Sequence, residues 1–383
     1  MKIVDVKATA VNVPAEFSSC GKTKKATLGI CVVEVTTDSG LVGVGMTAIT
    51  EEEVIAFTIN NIIAPAINGE DPLCTDRVWN KLYWLLTPRG QSGYACHAIA
   101  AVDIALWDIK GQALRQPIWK LLGGAREKVI TYATIGFDFF DNDQLAEVAQ
   151  TSQAEGFNKF KMVVGHNALK RRDEPRPVLE AIRNDIGRVQ TLREAIGDEA
   201  ESFLDANCNL DPYHAAWLAE RVEEYNISFF EEPLIGNDPQ QLNQLRSRTR
   251  IPLAGGQNEG QSSKFKQLLL NDSLDILQPN VAISGGYTQC AKIAGMAEAF
   301  NTGIDNGGAW PFHNLHLHAG VRNGGMVEYH IFAVKCLEQI FNGLPKPENG
   351  FLHAPNEPGL GFTLNQDALK ELAKMPTSRG MGK

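Results

Sequence analysis

The chain has 383 residues, a length that suits one large barrel-type domain with a smaller partner domain. Apolar residues make up 44% of it and charged residues 21%, which excludes a disordered or collagen-like protein. The net charge is −9 and the 36 Lys and Arg residues form no long run, so the charge pattern predicts no nucleic-acid binding.

Three features of the sequence bear on the compartment. No run of 18 apolar residues occurs, so we expect no membrane span and no membrane partner. Residues 1–14 alternate apolar and polar residues, which is typical of a strand and not of a secretory signal. The seven cysteines are scattered singly without a CxxC pair, which favours reduced thiols and predicts a cytoplasmic protein.

Residues 1–127 predict a small α+β domain. Ile3–Val13, Ile30–Thr36 and the glycine-marked segment 40–45 are strand-like and suggest an antiparallel sheet. The segment Ala15–Ala26 between the first two strands carries three lysines and predicts an exposed, mobile loop.

The rest of this first domain, residues 51–124, is predicted to be helical. Ile99, Val102, Leu106 and Ile109 recur at the spacing of one face of an amphipathic helix.

Residues 128–349 alternate short apolar runs with amphipathic helices. Eight such runs predict parallel βα units that close as a barrel. The tail 350–383 is rich in Pro, Gly and Asn and is expected to return to the first domain. The predicted strands are Val129–Ala133, Lys159–Val164, Ser202–Asp205, Ile227–Glu231, Pro252–Gly255, Asp275–Gln278, Thr302–Asp305 and Met326–Glu328.

Three oxygen-bearing side chains follow neighbouring predicted strands at equal spacing. Asp205 and Glu231 are 26 residues apart, and Glu231 and Gln257 are again 26 apart, which is one βα unit each time. The three side chains should therefore meet at the C-terminal rim of the barrel, where barrel active sites lie. Such ligands suit Mg²⁺, although single residues of this kind also serve as helix N-caps.

These residues resemble the mandelate racemase / muconate lactonizing enzyme subgroup of the enolase superfamily. Asp205, the triplet 231–233 and Gln257 match its metal-ligand strands, and the segments 101–111 and 121–124 look like its capping-domain helix and exit. The resemblance implies a modified TIM barrel, (β/α)7β, with an α+β N-terminal capping domain. It also implies abstraction of the proton next to a carboxylate and an enediolate held on Mg²⁺.

The second barrel strand departs from the family pattern of two lysines, of which the second is commonly the base. With Gly156 and Gly165 as anchors, Lys161 takes the first lysine position and Val163 the second. A rival register that pairs Lys159 with Lys161 breaks both anchors. Lys161 is predicted to bind the substrate carboxylate or to act as the base, with a pKa lowered by the nearby cation.

Other matched positions are also altered. Gln257 stands where the family has Glu, so Glu259 is an alternative third metal ligand. The subgroup's Asp–His dyad falls at Asn280 and near Asn306, and neither Asn is a general base.

Candidate replacements lie after the seventh and eighth strands. The segment 310–318 holds three His, which do not share one helical face, so a single zinc site is not expected. His313, expected on a loop, is the candidate acid, whereas His316 is expected to pack in a helix. Glu328 matches the family Glu that hydrogen-bonds a substrate carboxylate oxygen, a role that requires a raised pKa. The candidate substrate contacts are Lys159, Asn207, Asn306 and Trp310.

Three hypotheses follow from these residues. The first is a Mg²⁺-dependent dehydratase of an acid sugar or hydroxy acid, which needs one base for the α proton and one acid for the leaving group. The second is a racemase or epimerase of a hydroxy acid or amino-acid derivative. The third is a homologue that binds small acids without chemistry. All three take a small carboxylate as ligand, and we expect a homo-oligomer.

Overall fold

The computed structural model describes residues 1–87, 92–166 and 178–375 of the chain. Its N-terminal part is a three-stranded antiparallel sheet made of β1 (Ile3–Ser19), β2 (Lys22–Thr37) and β3 (Val42–Ala48). Gly43 lets β3 lie directly on the long helix Tyr94–Leu114, since a Cβ there would be 2.1 Å from the backbone oxygen of Ala105.

The mobile loop predicted over Ala15–Ala26 is wrong. β1 and β2 stay paired up to Ser19 and Lys22, and the hairpin turns at Cys20 and Gly21, whose φ angles are 49° and 69°.

Contacts with the barrel explain why this hairpin is ordered. The Phe17 ring packs on Phe140 and Phe332, with ring centroids 6.4 and 5.7 Å apart. The Glu147 carboxylate accepts hydrogen bonds from the Ser19 hydroxyl and from the Cys20 N–H. These partners are distant in sequence, so the local composition of the hairpin could not reveal them.

The rest of the N-terminal part is helical in the described residues, as predicted for 51–124. Ile99, Val102, Leu106 and Ile109 are all buried, so the spacing identified the correct helix face. The helices are Glu52–Thr58, Ala64–Ile67, Thr75–Leu86, Tyr94–Leu114 and Ile118–Leu121, with the π-helix Ile59–Ile63 between the first two.

Eight parallel strands form the barrel, in agreement with the prediction. They are β4 (Lys128–Gly136), β5 (Lys159–Val163), β6 (Glu201–Asp205), β7 (Ile227–Glu231), β8 (Leu253–Gly255), β9 (Ile276–Leu277), β10 (Gly303–Ile304) and β11 (Val327–His330). Their order is β10-β9-β8-β7-β6-β5-β4-β11. Backbone hydrogen bonds from Gly325 to Ile304 and from Asn306 to Met326 close the ring between β10 and β11.

The strands alternate with helices, three of which begin at an aspartate N-cap. Asp141, Asp211 and Asp238 each accept a hydrogen bond from the backbone N–H three residues on. The helices are Asn142–Ala154, Val178–Ile196, Pro212–Val222, Pro239–Arg246, Ser262–Leu270, Gly286–Ala299, Pro311–Gly320 and Ile331–Ile340, with the 3₁₀ turns Glu223–Tyr225 and Ile235–Asn237.

An aromatic layer fills the barrel interior below its C-terminal rim. The rings of Phe203 and Phe229 stack with centroids 4.2 Å apart, and Tyr132 meets both edge-on. This layer is the floor of the candidate site, because the Lys161 ammonium lies 5.5 Å above the centre of the Tyr132 ring.

The tail contacts both parts of the chain. It contains β13 (Phe351–His353), β14 (Thr363–Leu364) and the helix Gln366–Leu372, and β14 pairs with β12 (Phe341–Asn342), which precedes the tail. The Leu360 N–H donates a hydrogen bond to the Asp108 carboxylate, and the side-chain amide of Gln366 donates one to the Glu34 carboxylate. These contacts agree with the predicted return of the tail. The domain boundaries at 127/128 and 349/350 stay a prediction, and 376–383 lie outside the described residues.

Two observations relate to the predicted compartment. In the ranges described, no helix has both the length and the apolar character that crossing a membrane requires. All seven cysteines are free thiols.

The helix Pro311–Gly320 buries three histidines completely. Burial lowers the pKa of His313 to about 3, of His316 to about 4 and of His318 to about 3. His313 packs on the rings of Phe341 and Phe362, and within the described chain neither of its ring nitrogens has a hydrogen-bond partner.

We predict that these histidines make the fold sensitive to acid. Each is neutral when folded but takes up a proton when unfolded below about pH 6.5, so stability falls as the pH drops from there towards 4, by up to about 1.4 kcal/mol per pH unit for each histidine. Urea unfolding at pH 7, 6 and 5 should show His313→Leu losing less stability than the wild type. His353→Leu, at an exposed histidine, is the control. Parallel pH curves for wild type and His313→Leu would contradict the prediction.

Candidate functional site

Inward-facing side chains collect at the C-terminal rim of the barrel. Asp205 and Glu231 are register partners at the ends of β6 and β7, and Val163 is the partner of Asp205 at the end of β5. Because side chains alternate along a strand, Lys161 faces the interior with Val163. The predicted meeting of Asp205 and Glu231 at one rim is therefore confirmed.

The Lys161 ammonium lies among three buried carboxylates. Its Nζ is 2.7 Å from Glu231 Oε2, 3.0 Å from Glu328 Oε1 and 3.3 Å from Asp205 Oδ2. Burial alone would lower the pKa of Lys161, but the carboxylates of Glu231 and Glu328 raise it well above its usual value. The lowered pKa predicted for this lysine is a property of the metal-loaded protein, and it stays a prediction.

Glu328 also differs from its expectation. Its Oε1 accepts a hydrogen bond from Thr134 Oγ1 at 2.5 Å, and its Oε2 accepts one from the Ala309 N–H at 2.7 Å. Burial raises the pKa of Glu328, but the Lys161 ammonium and these donors outweigh burial and lower it. The expected neutral acid is wrong here: the surroundings stabilise the carboxylate.

Glu231 carries the polar atom best suited to a further ligand. Its Oε2 binds Lys161, while its Oε1 is buried and without a hydrogen-bond partner among the described residues. Burial and the nearby Asp205 carboxylate raise the pKa of Glu231 well above its usual value. A cation beside Oε1 would satisfy this atom and relieve the repulsion between the two carboxylates.

Gln257 presents a second free oxygen on the same side. Its Nε2 donates to Glu232 Oε2 at 3.2 Å, and since a carboxylate only accepts, the amide oxygen is left for a ligand. A Cβ at Gly307 would lie 2.6 Å from Glu231 Oε1, and one at Gly308 would lie 3.0 Å from Gln257 Oε1. The two glycines thus keep open the space beside both oxygens.

The donor set fits Mg²⁺ with one neutral ligand. Within the described residues no group of three or more His, Cys, Asp and Glu is arranged to hold a metal. Glu259 lies with its Oε1 3.2 Å from Asn237 Nδ2 and 4.0 Å from Lys264 Nζ. These partners make Gln257 the better candidate than Glu259.

Glu232 is a site residue that the sequence reasoning did not single out. Its carboxylate accepts hydrogen bonds from the Gly256 and Asn258 N–H groups at 3.3 Å and from the side chains of Asn237 and Gln257. It therefore orients the segment that carries the third candidate ligand. The signal was present in the sequence, because Glu232 directly follows Glu231.

The amide of Asn280 has a structural role. Its Nδ2 donates to the carbonyl oxygens of Gly307, Gly308 and Ala309 at 2.7, 3.0 and 3.2 Å, and its Oδ1 accepts from Asn314. Asn280 thus holds the loop after β10 in place, which agrees with its predicted lack of a general-base role.

Two predicted site residues, Lys159 and His313, lie away from the carboxylates at the rim. Lys159 pairs with Glu201 at the opposite end of β5, about 13 Å from Val163 at 3.3 Å per residue. The loop position expected for His313 is wrong, because it lies in a helix among aromatic rings. Asn306 and Trp310 are fully buried, as Lys161 and Glu231 are, and their role as substrate contacts stays a prediction.

The burial of Asn306 has a backbone cause. Its Nδ2 donates to the carbonyl oxygens of Gly307 and Ala309, and its Oδ1 accepts from the Glu328 N–H. Asn207, by contrast, lies in the rim loop after β6, where its backbone N–H binds Asp205 Oδ1 at 2.8 Å. Its role as a substrate contact stays a prediction.

Two family models match the chain. The mandelate racemase / muconate lactonizing enzyme N-terminal domain matches residues 2–123, and the enolase C-terminal domain-like model matches residues 144–368. The chain belongs to the mandelate racemase / muconate lactonizing enzyme family of the enolase superfamily. This confirms the predicted family and its fold, a TIM-like barrel with an N-terminal capping domain.

Curated relatives within this family carry the names of acid-sugar dehydratases. The arabinonate dehydratase of Saccharolobus solfataricus is 29% identical over 89% of this chain and 90% of its own length. The D-galactonate dehydratase of Pectobacterium atrosepticum is 30% identical, with the same coverage.

Solved structures agree in fold along almost the whole chain. A racemase from Streptomyces coelicolor with bound magnesium superposes with a TM-score of 0.86 at 28% identity, covering 97% of this chain and 99% of its own. L-Talarate dehydratase from Polaromonas, in complex with Mg and L-glucarate, superposes with a TM-score of 0.83 at 28% identity, covering 97% of each chain.

We predict that Gln257→Glu binds Mg²⁺ about tenfold more tightly than the wild type, because the third ligand gains a charge. Calorimetric titration of the metal-free protein with MgCl₂ measures this without any substrate. Gln267→Glu adds the same charge on an exposed helix position and should leave the affinity unchanged. A loss of affinity in Glu259→Gln, with no gain in Gln257→Glu, would instead identify Glu259 as the third ligand.

Proposed function

We propose that this family member is a Mg²⁺-dependent dehydratase of an acid sugar or a related hydroxy acid. The observation that carries the proposal is the pair of in-register carboxylates, Asp205 and Glu231, with the Lys161 amine against both of them. Family relatives named as arabinonate and D-galactonate dehydratases support the reaction class.

The metal would be held by Asp205, Glu231 and Gln257. When bound, Mg²⁺ supplies positive charge where the substrate carboxylate becomes more negative as the α proton leaves. The protein's part is to fix these oxygens: Glu232 orients Gln257, and Asp205 is held by the backbone N–H of Asn207.

Lys161 is the inward-facing amine at the described part of the rim, and we assign the α proton to it. In the structure it is held as an ammonium by Glu231 and Glu328, so it must lose a proton before it can accept one. One amine can serve both proton steps of a dehydration. It takes the proton from the α carbon, and it returns that proton to the hydroxyl that leaves the neighbouring carbon as water.

Because one amine can serve both proton steps, the residues of this site fit dehydration better than racemisation. A racemase that works by direct proton transfer needs a base on each face of the α carbon. Val163 and Asn280 offer none at the two matched positions, and Asn280 is already saturated by carbonyl groups. An isomerase remains the alternative function, since one structural neighbour is described as a racemase.

We further propose that the protein acts in the cytoplasm as a homo-oligomer. Its seven free thiols support a reducing compartment. Symmetric assembly is the common state of soluble oligomers.

We predict that the wild type with Mg²⁺ in D₂O converts D-galactonate or arabinonate into a 2-keto-3-deoxy acid. Proton NMR monitors this reaction. Lys161→Met should be slower by about 10³-fold, because the proton acceptor is lost. Lys159→Met removes a lysine at the other end of the strand and should keep the wild-type rate.

Other outcomes would redirect the assignment. Full turnover by Lys161→Met contradicts the role of Lys161. An inverted stereocentre on an intact carbon skeleton would favour the isomerase, and no change in any acid would favour the binding homologue.

A further inference from the structure

β11 brings a histidine to the rim. Glu328 and His330 are two residues apart, so their side chains lie on the same face of the strand. His330 is the register partner of Thr134, whose hydroxyl donates a hydrogen bond to Glu328. Two residues along a strand place it about 7 Å beyond Glu328 towards the barrel mouth. We propose that His330 is a neutral hydrogen-bond donor that binds the 3-hydroxyl oxygen of the substrate through its Nε2–H.

The helix that follows β11 fixes the tautomer of this ring. His330 is the N-cap of the helix Ile331–Ile340, and its Nδ1 accepts a hydrogen bond from the Ala333 N–H at 3.2 Å. A ring nitrogen that accepts from an N–H carries no proton, and a neutral imidazole has only one. The proton therefore lies on Nε2, so the ring can donate to a ligand but cannot serve as a base without losing its cap.

The surroundings keep the ring in place and neutral. The ring packs against Phe137, with centroids 4.8 Å apart and the ring planes tilted by 45°. Burial lowers the pKa of His330, Glu328 raises it and Lys161 lowers it, and the net effect is a lowered pKa. The side chain is only partly buried, and in the described chain Nε2 has no protein partner, so this donor is available to a ligand.

The geometry selects the substrate class for the dehydration proposed above, on which this inference rests. Lys161 and Glu328 lie at the depth of the substrate carboxylate, and His330 lies one step nearer the mouth. The 3-hydroxyl, which leaves in a dehydration, extends in that direction. No proton leaves Nε2; the hydrogen bond only binds the oxygen. An acid without this hydroxyl leaves the donor unpaired and should bind about 10- to 100-fold more weakly.

His330→Asn separates the two tasks of the residue. Asparagine is among the best N-caps, so the helix keeps its cap, but the shorter side chain no longer reaches the ligand. Calorimetry on the Mg²⁺-loaded protein compares D-galactonate, arabinonate and L-glucarate, each with its 3-deoxy analogue, in a Lys161→Met background that suppresses turnover during the titration. We expect this protein with His330 unchanged to prefer the hydroxylated acids and His330→Asn to lose that preference at an unchanged thermal midpoint, while His330→Ala also lowers the midpoint.

Two results would overturn the inference. The first is a calorimetric result: His330→Asn keeps the preference for hydroxylated acids, or the protein with His330 binds both members of each pair equally, or it binds none of the acids. The other is a histidine ¹⁵N NMR spectrum of the free protein in which Nδ1 of His330, and not Nε2, carries the proton. A wild type that prefers the hydroxylated acid but never dehydrates it contradicts the proposed function and leaves the role of His330 intact.

Discussion

The site depends on one electrostatic constraint: buried carboxylates at the barrel rim carry more negative charge than the one buried lysine carries positive charge. One ammonium, Lys161, faces three carboxylates, Asp205, Glu231 and Glu328, all with side chains at most 7% exposed. Buried charges are tolerated only when they are paired, and one lysine cannot pair three carboxylates. The pKa of Glu231 is raised, and its Oε1 has no hydrogen-bond partner among the described residues, so this carboxylate is the one that lacks a full counter-charge. A divalent cation at that oxygen would balance the cluster.

The positions at which this chain differs from the family pattern leave candidate catalytic groups on only part of the rim. Val163 and Asn280 carry no base, and Asn280 holds three carbonyl groups of the loop after β10. The groups that we propose to act on the substrate, Lys161, Glu328 and His330, lie on β5 and β11. The hairpin of β1 and β2 covers this side, since Phe17 stacks on Phe332 just beyond the end of β11. Proton transfer and substrate recognition therefore share one side of the site in this account.

The sequence predicted the barrel and its metal-ligand strands, because the equal spacing of Asp205, Glu231 and Gln257 reflects repeated βα units. Predictions from the sequence were wrong for residues whose positions depend on contacts distant in the chain. Lys159 lies on the correct strand but at the wrong end, and His313 lies in a helix and packs against Phe362 of the tail. The protonation state of Glu328 depends on partners from three other segments, which no local pattern reveals.

A crystal structure of the protein grown with Mn²⁺ in place of Mg²⁺ tests the central claim most directly, since anomalous scattering locates this ion. The account predicts a single ion bound by Asp205, Glu231 and the amide oxygen of Gln257 at about 2.1 Å, with Lys161 still bound to Glu328. An ion held by Glu259 instead of Gln257, or a rim that binds no ion at saturating Mn²⁺, would contradict it.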